Sequence, residues 1–111
     1  AVNQADAGGV TPLYVASQNS HLECVRLLLK TSAAVNQAKD DGATPLHVAC
    51  HHGCFDIVQL LLEASAAINQ ARNNGVTPLL MACHFGHLEV AKLLLEASAD
   101  INQARCDGCT P

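Results

Sequence analysis

Thr44-Pro45-Leu46-His47-Val48-Ala49-Cys50 is the stretch whose reading decides the fold. It returns as Thr11-Pro12-Leu13-Tyr14-Val15-Ala16-Ser17 and as Thr77-Pro78-Leu79-Leu80-Met81-Ala82-Cys83, and it begins again at Thr110-Pro111, each time after 33 residues. A threonine hydroxyl accepts hydrogen bonds from the unpaired N–H groups of a first helical turn. Proline at the next position loses nothing, because its missing N–H would have had no partner there. Each copy therefore starts a helix, and self-similarity on such a period is the mark of a repeat architecture. Cut at the valine or isoleucine before each Asn-Gln, the copies run over 2–34, 35–67 and 68–100, with a partial copy at 101–111. The second and third agree at eighteen of their thirty-three places. No linker or shift in composition interrupts them, so residues 1–111 read as one domain.

Within a copy the local signals agree. Gly53 falls where the first helix should end, since glycine tolerates the left-handed backbone that follows a helix. Asp56 lies near the start of a second helix, where negative charge suits the macrodipole. Ile57, Val58, Leu60, Leu61 and Leu62 form its apolar body, and the triple leucine recurs as Leu27-Leu28-Leu29 and Leu93-Leu94-Leu95. A helix apolar around so much of its circumference must be covered on several sides, so neighbouring copies must stack on it. From Asn36 to Gly42 the chain is polar, and Asp41-Gly42 is a tight-turn signal. That segment is expected to project sideways as a hairpin-like finger. The fold class is an all-α repeat solenoid of helix–turn–helix units with hairpin or loop fingers.

The pattern Gly-x-Thr-Pro-Leu-His, then Ala, Gly, Leu-Leu-Leu and Ala-x-Ile-Asn resembles the ankyrin repeat over essentially the whole chain. The resemblance implies L-shaped units of two antiparallel helices and a finger, stacked into a slightly curved array. It also implies a non-enzymatic binding module whose protein partners meet the finger tips and the concave face of the first helices. The departures are specific. Ser32, Ser65 and Ser98 stand where the family usually has glycine after the second helix. If the backbone there is left-handed, each costs up to about 1 kcal/mol relative to glycine. Ser20 replaces the glycine between the helices of the first copy, and in the second copy Cys54 replaces the histidine that usually follows that glycine. His47 is the only histidine of its kind; the family's imbedded imidazole there bonds the threonine hydroxyl and links neighbouring turns, which Tyr14 and Leu80 cannot do in the same way.

Bulk properties narrow the function. With only 3% aromatic residues the core must be close-packed aliphatic side chains. A net charge of −4 with six Lys and Arg leaves no basic stripe for a phosphate backbone, so nucleic acid is not expected as a partner. No apolar run approaches the roughly 20 residues that span a bilayer, and no membrane role or signal peptide is read. Cys50 and Cys83 are a full repeat apart, and stacked helices lie about 10 Å from each other, too far for a disulfide. Reduced thiols in the cytoplasm or nucleus are the simpler reading. Cys50 and Cys83 are expected as small buried thiols facing the helix partner. Cys106 and Cys109 flank a turn, as free thiols or, less simply, as a metal pair or local disulfide. No cofactor or metal is expected.

Specificity should lie where the copies differ and packing does not dictate the residue. The resulting candidates are Val10, Gln18 and Asn19 in the first copy, beside Ala7 and Gly8 at its finger tip. In the second they are Asp40, Asp41, Ala43, His51 and His52, and in the third Asn73, Asn74, Val76, His84 and Phe85. Cys106, Asp107 and Cys109 complete the set. Phe85 reads either as an exposed anchor for a partner or as a ring folded over the adjacent helix. The uncapped apolar ends, Val15, Leu27 and Leu28 at one and Met81, Leu93 and Leu94 at the other, read as an excised piece of a longer array, with end-to-end association as the corresponding risk. A structural spacer and a designed or reconstructed scaffold are the alternatives to a binding module.

Overall fold

A computed structural model describes residues 5–6, 8–31, 33, 35–64, 66–68 and 70–97. Among them are six helices: α1 Pro12–Gln18, α2 Leu22–Lys30, α3 Pro45–His52, α4 Phe55–Glu63, α5 Pro78–His84 and α6 Leu88–Glu96. The first helices α1, α3 and α5 pack side by side in one layer, and α2, α4 and α6 form a second layer behind them. Every first helix starts as the Thr-Pro pair requires. Thr11, Thr44 and Thr77 take extended backbone and accept from the amides of Tyr14, His47 and Leu80 at 3.2, 3.4 and 3.3 Å. Glu23, Asp56 and Glu89 sit in the first turns of the second helices, where the dipole favours a carboxylate. The serines at 32, 65 and 98 lie outside the described residues.

The repeat register has a direction. At the place shared by Val15, Val48 and Met81, the side chain faces the preceding copy. Val48 and Met81 are buried, while Val15 is 42% exposed. The place shared by Ser17, Cys50 and Cys83 faces the following copy, and there the first two are buried and Cys83 is exposed. Two expectations are thereby corrected. Cys83 is not a buried thiol, because among the described residues no helix lies on its outer side. Met81 and Leu94 belong to the interior of the stack and not to its end. The apolar ends are Val15 and Leu27 on one side and Leu88 and Leu95 on the other.

Ser17 is a local defect in this packing. It is fully buried against the second copy, and its hydroxyl has no hydrogen-bond partner. An orphaned buried hydroxyl costs about 1–3 kcal/mol of desolvation, whereas a methyl at the same place costs nothing of the kind. Ser17→Ala should therefore raise the stability read from denaturant midpoints by about 1 kcal/mol. A lower midpoint would show that the hydroxyl is satisfied after all.

Candidate functional site

The fingers are closed by the same two bonds each time. The amides of Asp6, Lys39 and Arg72 donate to the carbonyls of Val10, Ala43 and Val76 at 3.0, 2.9 and 2.8 Å, and the amides of Gly9, Gly42 and Gly75 return to the carbonyls of residues 6, 39 and 72. These are tight hairpin turns; no described residue lies in an assigned strand. The amide of Asp40 donates to the Gly8 carbonyl at 3.0 Å and that of Asn73 to the Asp41 carbonyl at 2.9 Å, which ties each finger to the one before it. Gly42 is required by this tie: its φ is +87°, and a Cβ would lie 2.8 Å from the Asn73 amide nitrogen.

His47 locks the second copy to the third finger. Its Nδ1 accepts from the Thr44 amide at 3.0 Å and lies 2.9 Å from the Thr44 hydroxyl. That leaves Nε2–H to donate to the Val76 carbonyl at 2.9 Å. The imidazole thus completes a capping box at its own helix start and joins two repeats. Tyr14 holds the same place one copy earlier, where it is buried and Lys39 lies 5.5 Å from its ring centre. Burial and the Asp41 carboxylate push the tyrosine hydroxyl above its ordinary pKa.

Where the fingers meet the first helices, a groove of about 300 Å³ is bordered by Tyr14, Gln18, Lys39, Asp41, His52 and Arg72. Asp41 lies 2.8 Å from the Arg72 guanidinium and 3.8 Å from the Lys39 ammonium. Burial pushes its carboxyl upward, but the Ala43 amide and the Arg72 guanidinium outweigh that and hold it below the ordinary value. Beside the groove, three rings stack in parallel. His51 lies between His52 and Phe85, with centroids 4.7 and 4.1 Å away, and His84 meets Phe85 edge-on at 4.7 Å. His87 donates through Nε2 to the His51 carbonyl at 2.8 Å and braces this corner. Burial first, then His52, His87, Arg72 and His84, lower the pKa of His51.

The sequence candidates fall into distinct groups. Gln18, Asn19, Asp40, His52, Asn73, Asn74, His84 and Phe85 are exposed, and His51 is half-buried among them. Ala43 is not a contact residue: it is buried with Tyr14 and Val48, because the finger folds its base onto the first helix. Val10 packs against the same cluster, and Val76 is half-buried with its carbonyl committed to His47. Asp41 is engaged with Arg72 rather than displayed at the tip. Cys106, Asp107 and Cys109, like Ala7, lie outside the described residues. Phe85 stacks on His51 of the adjacent first helix and remains 43% exposed. Tyr14, Lys39 and Arg72 border the groove although sequence reasoning passed over them. The recurrence of a basic residue at 39 and 72, one period apart, was the available signal.

Among the described residues, no three His, Cys, Asp or Glu side chains converge as a metal site. Burial pushes the Cys50 thiol far above its ordinary pKa and keeps it protonated, so it is no nucleophile. Cys24, Cys54 and Cys83 are also free thiols.

Family comparisons agree with this geometry. Residues 1–72 match a family described as ankyrin repeats in three copies, and residues 74–105 match a single ankyrin repeat. The chain belongs to the ankyrin repeat family. Ankyrin repeats generally mediate protein–protein interaction and are generally non-enzymatic. One similar protein is a probable E3 ubiquitin-protein ligase, XBOS32, of Oryza sativa subsp. japonica, 54% identical over 33 residues, which are 30% of this chain and 7% of that protein. The chain thus aligns with a small fraction of that relative, about the length of one ankyrin repeat. No described helix is long and apolar enough to cross a membrane.

Proposed function

We propose that this ankyrin array binds a protein partner without catalysis, through the face that its first helices share with the fingers. The observation that carries this reading is the ring stack of His52, His51 and Phe85. It spans two repeats, leaves Phe85 nearly half exposed, and lies outside the aliphatic core that holds the fold. An exposed aromatic ring held by its neighbours loses little freedom on binding and makes an effective interface anchor. Gln18, Asn19, Asp40, Asn73 and Asn74 would form the polar rim around it. Free Cys24, Cys50, Cys54 and Cys83 support a reducing compartment, cytoplasmic or nuclear.

The test is capture of partners by the protein carrying Phe85→Ala. The expected result is at least about a tenfold loss of affinity, or about 1.4 kcal/mol. Unchanged affinity would remove Phe85 as an anchor. A second reading, a structural segment within a longer array, draws on the exposed stacking faces at Val15 and Leu27 and at Leu88 and Leu95. The same faces make end-to-end self-association a corollary of that reading. It would be preferred if alanine at Gln18, His52, Asn73 and Phe85 together left every partner bound.

A further inference from the structure

The charges of this protein are divided between its two helical layers. The second helices carry Glu23, Arg26, Lys30, Asp56, Glu63, Glu89, Lys92 and Glu96, whereas α1, α3 and α5 contain no Asp, Glu, Lys or Arg. The positive charge that the first helices can acquire is imidazolium: besides the buried His47 there are His51 and His52 at the end of α3 and His84 at the end of α5, with His87 just beyond. A hollow of about 540 Å³ opens at this corner, with Leu80, Met81 and Phe85 as its apolar side and His51, His84 and Arg72 as its basic side.

The surroundings of His51 supply no negative charge to it. After burial itself, the groups that act on it are His52, His87, Arg72 and His84, all basic. Gln18 and Tyr14 of α1, which border the adjoining groove, are neutral at neutral pH. Asp41, the carboxylate bordering that groove, is taken up by Arg72 and Lys39. The Arg72 Nε, meanwhile, is buried without a hydrogen-bond partner. Acidification would therefore gather positive charge beside an apolar hollow whose described lining holds no carboxylate. A carboxylate brought by a partner would meet complementary charge there, and its binding would be accompanied by proton uptake.

We propose that this corner receives an acidic segment of the protein partner, one carboxylate lying between Arg72 and the imidazoles of His51 and His84 and an adjacent apolar side chain entering the hollow beside Leu80 and Phe85, with affinity that rises as pH falls through the histidine range. The proposal rests on the reading of this face as the partner-binding surface and adds the chemistry of the partner. Because the attraction is between charges near the surface, it weakens as salt is added.

The test uses fluorescence anisotropy of a labelled peptide rich in Glu and Leu, beside a control peptide with Gln in place of every Glu. Both are titrated with the full chain at about pH 7.5 and about pH 5.5, where glutamate stays largely ionised and imidazoles gain protons. Circular dichroism at both values checks that the chain stays folded. The expected result is about tenfold tighter binding of the Glu peptide at the lower pH, with no such gain for the Gln peptide. His51→Gln with His84→Gln should remove most of the gain, and so should His52→Gln with His84→Gln in part, which leaves the half-buried His51 in place. Equal binding of both peptides, a gain that survives in both variants, or tighter binding of oligothymidylate than of the Glu peptide would each overturn the proposal. Should neither peptide bind while Phe85→Ala still releases the captured partner, this inference falls and the binding-face reading stands. Should Phe85→Ala and the rim changes leave partners bound, the reading itself falls.

Discussion

Lowering the pH from about 6.5 to about 4 is expected to remove about 3 kcal/mol of folding stability through His47 alone. In the fold, burial drives the pKa of this imidazole down to about 4, against its ordinary 6.5, with the Val76 carbonyl opposing the shift only in part. Both ring nitrogens have roles that suit the neutral form, since Nδ1 must keep its lone pair to accept from Thr44. The unfolded chain therefore takes up a proton before the folded chain does. The stabilising difference is fully present above about pH 6.5 and is lost as the pH falls toward the folded value. His51 adds to the loss in the same direction, because its pKa is also lowered. Asp41, a lowered carboxylate, adds its own loss only at still lower pH. Denaturant midpoints measured across this range should fall steeply in the native chain. In His47→Gln, whose amide keeps a donor for Val76 but does not titrate, the curve should start about 1–2 kcal/mol lower at neutral pH and be much flatter. An equal slope in the two proteins would show that His47 is not the group responsible.

The second large effect is expected at Gly53. Its φ is +70°, and a Cβ there would fall 2.5 Å from Nδ1 of His87 and within 2.8 Å of two further ring atoms. The ring cannot swing away freely, because its Nε2 is bonded to the His51 carbonyl. Gly53→Ser should thus cost about 2–3 kcal/mol, about 1 from the left-handed backbone and the rest from the displaced ring and its bond. The protein already contains the compensated arrangement one junction earlier. Ser20 has φ +59°, and the residue in the place of His87 is Cys54, whose Sγ lies 2.8 Å from the serine hydroxyl. Ser20 and Cys54 thus together fill the two places that Gly53 and His87 fill at the next junction. Combining Gly53→Ser with His87→Cys should recover about 1 kcal/mol relative to the sum of the single changes. Strict additivity in that double-mutant cycle would contradict the pairing.

These two sites also mark how far the sequence alone could be read. The Thr-Pro pairs, the glycine after α3 and the leucine triplets carry short-range physics, so helix starts, the repeat period and the two-layer stack were legible. Ser20 and Cys54 were each visible as departures, but their contact joins residues 34 apart and appears only when the repeats are stacked. The same limit explains the finger tips. Asp41 reads as a turn residue on display until Arg72, one finger later, closes on it. Ala43 differs between copies because Tyr14 and Val48 pack against it, so a difference between copies marked packing there rather than recognition. Cys83 shares its place with the buried Cys50, yet burial depends on the neighbour beyond and not on the residue. The ring stack could be anticipated at Phe85, though not the partner ring, His51, that holds it.

Hydrogen–deuterium exchange of this chain, alone and with a captured partner, tests the central claim most directly. Binding through the finger-side face should slow exchange at the ends of α1, α3 and α5 and at the finger around 39–41, while α2, α4 and α6 exchange as before. Protection confined to the second helices, with the ends of the first helices unchanged, would contradict it.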